Sequence, residues 1–232
     1  MGADWSQFPN LKSQIRYNPY GLFLKKKFGC RVYKVSVDAG FSCPNRDGTV
    51  AAGGCIYCNN DSFRAKSADR LKPVSEQVRE GIAFLRRYGD AGKFIAYFQP
   101  FSNTHAPLQD LIQLYESAIE HPDVVGISLG TRPDCIDEEK IAWLENLART
   151  HFVTLEFGLQ SIHDATLTRI NRGHDFQCWV NAMRQTRDRG IWLCTHLILG
   201  FPWETREEMI QAAGVLADHG VNILKLHHLH VV

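Results

Sequence analysis

The 232-residue chain has no uninterrupted apolar run of about 18 residues, the length a membrane-spanning helix needs. Its amino terminus, MGADWSQFPNLKSQIRYNPY, lacks both the basic start and the apolar centre of a secretory leader. A cytoplasmic protein with no membrane partner is the expectation. Strong net charge is missing too: 26 Lys and Arg stand against 25 Asp and Glu, a formal +1. No internal repeat, low-complexity tract or linker divides the chain, so one core domain is expected over residues 31–232, with residues 1–30 as an extension packed on it. That extension is where the charge is uneven. Residues 1–34 carry a net +6, including Lys12, Arg16, Lys25, Lys26 and Lys27, among Tyr17, Tyr20, Phe23 and Phe28. Basic and aromatic residues so interleaved suit a phosphate backbone, and a solvated surface segment equally.

The dense, even cysteine framework of a small secreted domain is also absent. Seven cysteines occur, and four of them, Cys30, Cys135, Cys178 and Cys194, are scattered as small buried hydrophobes would be. The other three share the stretch FSCPNRDGTVAAGGCIYCNN, residues 41–60, with eleven residues between Cys43 and Cys55 and two between Cys55 and Cys58. The missing fourth thiol is informative. A structural zinc site closes with four protein ligands, whereas three thiolates on a four-iron cube leave one iron open to another ligand. Zinc stays open at this point, with Cys30 as a fourth sulfur one strand away.

Beta-branched runs alternate with helix-period segments from residue 31 onward. RVYKVSVDA (31–39), KFIAYFQ (93–99), VVGISLG (124–130), FVTLEFGL (152–159), IWLCTHLILG (191–200) and VNILKLHHLHVV (221–232) read as strands, with helices between them, one of them a single stretch around 163–189. Strict alternation implies a parallel sheet with right-handed crossovers, and both a six-unit open barrel and a flat doubly wound sheet satisfy it. Chemistry belongs at the strand carboxyl ends in either case. The sequence stops inside an apolar strand pattern, so an α/β fold truncated at its C-terminus is expected.

The loop, with Tyr57 just before its last cysteine, resembles the cysteine motif of the radical S-adenosylmethionine superfamily, with expanded spacing. GISLGTRPDC (126–135), LEFGLQS (155–161), INRGHD (170–175) and THLILGFPWET (195–205) resemble, in order, the branch that holds the elongator catalytic subunit and oxygen-independent coproporphyrinogen oxidase. The resemblance implies a partial (β/α)6 barrel. It implies that Cys43, Cys55 and Cys58 ligate a [4Fe–4S] cluster whose open iron binds S-adenosylmethionine. Reductive cleavage of that cofactor then gives a 5′-deoxyadenosyl radical that abstracts hydrogen from substrate. Ser102 and Asn103 would face the methionine end. Arg132, Glu156, Gln160, Arg172 and His196 complete the expected cofactor-binding set. An external flavodoxin- or ferredoxin-like electron donor is implied, and kinship with the elongator branch points to a tRNA wobble uridine as substrate.

Each of these residues also has a plainer reading. Ser102 or Asn103 can cap an ordinary turn, Arg132 can pair with Asp134, Glu156 can sit in a structural ion pair, and His196 can be a hydrogen-bonded core residue. Gly130 and Trp203 depart from the branch's pattern. His227 points to one face of its strand and His228 and His230 to the other, which disfavours a metal site and suits an inward histidine that binds substrate. Two other functions stay in view: a non-catalytic iron–sulfur scaffold or sensor, and a zinc-stabilised nucleic-acid-binding module.

Overall fold

The alternating periods of the sequence become six parallel strands joined by helical crossovers. The computed structural model describes residues 17–59 and 68–229. Lys12, Arg16 and His230, named above, lie outside the described residues. In chain order the elements are α1 (Tyr20–Phe28), β1 (Val32–Val37), α2 (Val74–Tyr88), β2 (Lys93–Phe98), α3 (Leu108–Ile119) and β3 (Val124–Thr131). A short 3-10 turn (Pro133–Cys135) precedes α4 (Glu138–Leu147), β4 (Phe152–Gln160), α5 (Asp164–Arg169) and α6 (Phe176–Thr186). The chain continues with β5 (Trp192–Leu199), α7 (Arg206–Asp218) and β6 (Ile223–His228).

Strand order follows chain order, β1-β2-β3-β4-β5-β6, and every neighbouring pair is parallel. A doubly wound sheet reverses its order at a switch point. This sheet never does, which removes that alternative. Curvature follows from one contact: Lys225 Nζ of β6 lies 2.8 Å from Tyr97 Oη of β2. A flat sheet would hold those strands about 19 Å apart, beyond the combined reach of the two side chains. The strands therefore curl into an open half-barrel with helices on its convex face.

Alternation along each strand decides what faces outward. Val35, Phe98, Ile127, Leu155 and Phe157 are buried under Ile82, Tyr115, Ile141 and Trp179 of the helices. Each such side chain contributes about 1.5–3 kcal/mol on burial. Local signals place the helices: Asp137 and Asp175 accept the Lys140 and Cys178 amides at two N-caps, and Thr205 forms a capping box with Glu208. The helical stretch expected around 163–189 is two helices, because Asn171 and Gly173 turn into the left-handed region at φ 53 and 76.

The basic extension is a helix where it is described. Tyr20, Phe23, Leu24 and Phe28 recur at helical spacing, and Gly29 ends the run at φ 72 with its amide on Lys25 O. Leu24 packs with Val32, Ile95 and Phe152 in a second apolar cluster, joined by Phe23, Phe28 and Trp192. These strand residues lie toward the amino ends of their strands, so α1 plugs that end of the half-barrel. Lys27 lies over the Phe152 ring at 5.5 Å, while Lys25 and Lys26 are exposed. No helix among the described residues is long and apolar enough to cross a membrane.

Gly126 of β3 pairs with Phe152 at the start of β4. A Cβ there would lie 1.9 Å from the Phe152 carbonyl oxygen, a backbone atom that cannot swing aside. Gly126→Ala should therefore cost about 3 kcal/mol or more and lower the melting temperature by about 6–12 °C. A melt within 2 °C of wild type, read by circular dichroism (tolerance about one-third of the expected shift), would contradict this packing.

Candidate active site

The cysteine loop leaves β1 and folds back on itself. The Arg46 amide donates to Cys43 O at 2.7 Å, Val50 to Pro44 O at 2.8 Å, and Asp47 bridges Ala52. Gly54 takes φ 82 where a side chain would meet Arg46 Nε at 2.8 Å. The folded loop is then fastened to the turn after α5. Asn45 Nδ2 donates to Asn171 O at 2.6 Å, Asn171 Nδ2 donates to Gly54 O at 2.8 Å, and the Ile56 amide donates to Ile170 O at 3.1 Å. These bonds bring two donors onto one sulfur: Asn45 Nδ2 is 3.4 Å and Arg172 Nη1 3.6 Å from Cys55 Sγ.

None of the seven cysteines is paired in a disulfide. Burial first, then the neighbouring Cys55, pushes the Cys58 thiol up. A single zinc ion with sulfur ligands at about 2.3 Å would gather those sulfurs within about 4 Å of one another. Among the described residues, the metal-ligating groups whose atoms lie within 4.8 Å of one another are Glu156, Cys194 and His196, not the loop cysteines. Cys30 cannot complete a zinc site. It packs against Gly92, where a Cβ would meet its sulfur at 2.8 Å, at the amino end of a β1 that is about 20 Å long. Three wide-set thiols with a guanidinium and an amide aimed at one sulfur fit a [4Fe–4S] cluster, and Cys43, Cys55 and Cys58 would hold it.

Beside the cysteines lies a cavity of about 260 Å³ at the strand carboxyl ends, lined among others by Tyr57, Pro100, Gln160, His196 and His227. Ser102, Arg132, Glu156 and Arg172 also line it. Asn103 stands behind that wall. Its side-chain amide donates to Pro100 O at 3.0 Å and Gly130 O at 2.8 Å, tying the turn after β2 to β3, while its buried Oδ1 has no partner. The Arg132 guanidinium is spent on Asp134, at 2.8 and 2.7 Å, and on Arg172 O at 2.8 Å. Its plainer reading, the pairing within the turn, is the one the geometry displays. Arg172 donates twice to Gly158 O and once toward Cys55. Burial opposes its charge, but the Tyr57 phenol and the Cys55 thiol around it hold its pKa above the ordinary value.

Strict alternation from Glu156 predicts Gln160 on the same face. The register instead slips between Gly158 and Gln160, and Gln160 takes φ 80. Both residues still line the cavity, Gln160 by way of this bulge. Gln160 and Arg172 close in at Gly158: a Cβ there would lie 2.8 Å from Gln160 Nε2 and 3.0 Å from Arg172 Nη2.

At the cavity floor Glu156 is 1% exposed. Lys34 and Ser128 donate to Oε1, and His196 Nε2 and Lys225 lie 2.9 and 3.4 Å from Oε2. Burial alone would raise this carboxyl. The hydrogen bond from His196 and the charges of Lys34 and Lys225 outweigh it and hold the group well below the usual carboxylate range. Cys194, whose thiol is pushed up by burial and by Glu156, shares the node. Its Glu–Cys–His trio has the spacing of a metal site, but two ammonium groups already occupy the carboxylate.

Lys34, Tyr97, Ser128 and Lys225 were not among the expected site residues. A signal existed for the lysines: each sits at an inward position of an apolar strand, in VYKVSV and ILKLHH, where an ammonium must find a counter-ion. Glu156 was the buried acid that needed one.

A curled half-barrel of parallel strands, three thiols after its first strand and a cavity at the strand carboxyl ends together define an iron–sulfur barrel enzyme. The Radical SAM superfamily profile matches residues 46–216, and the chain belongs to that superfamily. It is a radical SAM enzyme whose cofactors are a [4Fe–4S] cluster and S-adenosylmethionine. Protein YhcC of Escherichia coli K12 is 41% identical over 223 residues, 96% of this chain and 71% of that one. The tRNA uridine(34) acetyltransferase of Methanocaldococcus infernus is 31% identical over 83 residues, 36% of this chain and 15% of that one. Two solved structures share the fold: M. infernus Elp3, with TM-score 0.61 and 17% identity over 85% of this chain and 45% of that chain, and E. coli coproporphyrinogen III oxidase, with TM-score 0.60 and 13% identity over 93% and 48%.

Two measurements check this site. Cys55→Ala should abolish the brown absorbance of anaerobically reconstituted protein and Cys178→Ala should leave it intact; equal effects would undo the ligand assignment. Acidity should weaken the fold in order. Burial, then His196 and Lys225, brings His227 down to about 4 from an ordinary 6.5, and burial also lowers His174, to about 3, and His196, so the unfolded chain takes up these protons first. Stability is therefore lost as pH falls from about 6.5 toward 4, and further below 4.5 as Glu156, also depressed, is reached. Urea midpoints against pH should show this slope, and His227→Gln should flatten its upper part; an unchanged slope would refute the assignment.

Proposed function

We propose that this radical SAM enzyme abstracts hydrogen from a tRNA uridine, the wobble position being the target, and that a flavodoxin- or ferredoxin-like protein of the cytoplasm supplies its electrons. The likeness to a tRNA uridine(34) acetyltransferase carries the reading, together with a cavity lined by Tyr57, Gln160 and His227 from three separate segments. Bound at the cysteine loop, the cluster and S-adenosylmethionine supply the radical that removes a hydrogen atom.

The remaining work falls to the chain's own groups. Cys43, Cys55 and Cys58 hold the cluster, and Arg172 and Asn45 balance charge at Cys55. Gln160 and Ser102 line the cofactor's part of the cavity. Glu156 keeps His196 oriented by accepting from its Nε2, which leaves Nδ1 as the acceptor. The α1 plug keeps water from entering through the strand amino ends. Lys25 and Lys26 are exposed at that plugged end, where they meet the body of an RNA whose uridine enters the opposite end.

Anaerobic reconstitution with iron and sulfide, followed by dithionite and S-adenosylmethionine, should yield 5′-deoxyadenosine. A brown protein that binds the cofactor and yields none is a scaffold instead. Filter binding to tRNA should show a salt dependence whose slope falls by about 1.4–1.8 in the Lys25→Gln, Lys26→Gln double variant. Unchanged affinity and slope would remove α1 from the RNA contact.

A further inference from the structure

The polar node on the cavity floor holds more cations than it needs. Glu156 accepts from Lys34, Ser128, His196 and Lys225, which fills the four lone-pair positions of its two oxygens. Lys34 is the tightly held partner. Lys225 stands farther off at 3.4 Å, and its short bond, 2.8 Å, goes to the neutral phenol of Tyr97. Two ammonium groups thus face one carboxylate, and one positive charge is left over.

Two positions along β6, on the same inner face, stands His227. Its ring lines the cavity, stacks obliquely at 5.2 Å from the His196 ring, and buries an Nε2 that has no hydrogen-bond partner. A buried ring nitrogen without a partner is costly unless a ligand answers it, and the Lys225 ammonium beside it, 35% exposed, is open to the same ligand. The i and i+2 side chains of a strand leave the backbone about 6.6 Å apart and pointing the same way, so both reach one bound group. That group has to bring acceptor oxygens and negative charge, because the carboxylate has no capacity left for a cationic donor. The same reasoning excludes a metal ion at the Glu156, Cys194 and His196 trio.

We infer that Lys225 and His227 form an oxyanion site at the cavity floor that takes a phosphate group of the substrate. Assigning that phosphate to the nucleotide whose uridine is presented to the cofactor rests on the tRNA reading above; the site itself does not. Tyr97 holds the ammonium in place and Glu156, through His196, fixes the neighbouring ring, so both act as positioning residues for the pair.

Calorimetric titration of the anaerobically reconstituted full chain with inorganic phosphate, uridine and uridine 5′-monophosphate tests this. Uridine 5′-monophosphate should bind at least about tenfold more tightly than uridine, and inorganic phosphate should compete for that advantage. Lys225→Met should erase the advantage, Lys225→Arg should keep most of it, and His227→Phe should reduce it severalfold. Circular dichroism melts report whether each variant is folded; if Lys225→Met is not, the Lys225→Arg and His227→Phe results decide. Phosphate binding that ignores these substitutions overturns the site, as does the absence of phosphate binding. Lys225-dependent phosphate binding with no gain of the nucleotide over the nucleoside upholds the site and assigns it to a phosphorylated small molecule, which refutes the tRNA reading alone.

Discussion

A carboxylate removed from water must be surrounded by donors, and Glu156 draws one from each of four strands: Lys34 of β1, Ser128 of β3, His196 of β5 and Lys225 of β6. Strands so far apart in order can meet on one group only if the sheet curls. The node is therefore both a consequence of the half-barrel and a brace across it. Removing one member of a buried charge pair commonly costs about 3–5 kcal/mol, because the other is stranded. A barrel interior filled by apolar layers would avoid that risk. Here the polar layer lies directly below the cavity, so its cost is borne where substrate is received.

The half-barrel is thus stacked by function along its axis. Aromatic and aliphatic side chains of α1 and the strand amino ends close one end. The Glu156 node comes next, then the cavity, then the cysteine loop. Two arginines that both line the cavity have different duties. Arg132 is saturated by Asp134 and Arg172 O and stiffens the turns after β3 and α5. Arg172 carries its charge to Cys55. The distinction comes from partners, since residue type is the same.

Much of this was legible in the sequence, and the remainder has physical reasons. Four of the six strands lie within the residues expected for them, and β3 and β4 each run one residue further, to Thr131 and Gln160, because buried parallel strands are continuous apolar runs. The cysteine spacing and the motifs at the strand ends identified the superfamily and its cofactors. The choice between an open barrel and a doubly wound sheet was not legible in periodicity, since it lies in strand order. α1 was read as an arm although Pro19, the spacing of Tyr20, Phe23, Leu24 and Phe28, and Gly29 all announced a helix; its lysines masked the apolar face. The route of Gln160 into the cavity was hidden because a bulge breaks the period on which face assignments rest. The partners of Glu156 come from strands separated from it by up to 122 residues, beyond any local pattern.

The clamp on the cysteine loop has a consequence in time. Asn45, Gly54 and Cys55 are held by Asn171 and Arg172, which follow them by 117 to 126 residues. At about 5–20 residues per second, a ribosome needs about 6–25 s to cover that interval. Throughout it the three thiols are already exposed on the nascent chain without the turn that shapes them. Cluster insertion into a finished site therefore belongs after synthesis has passed the fourth strand and the turn beyond it, and until then the loop is a set of reactive thiols that the cell must keep reduced.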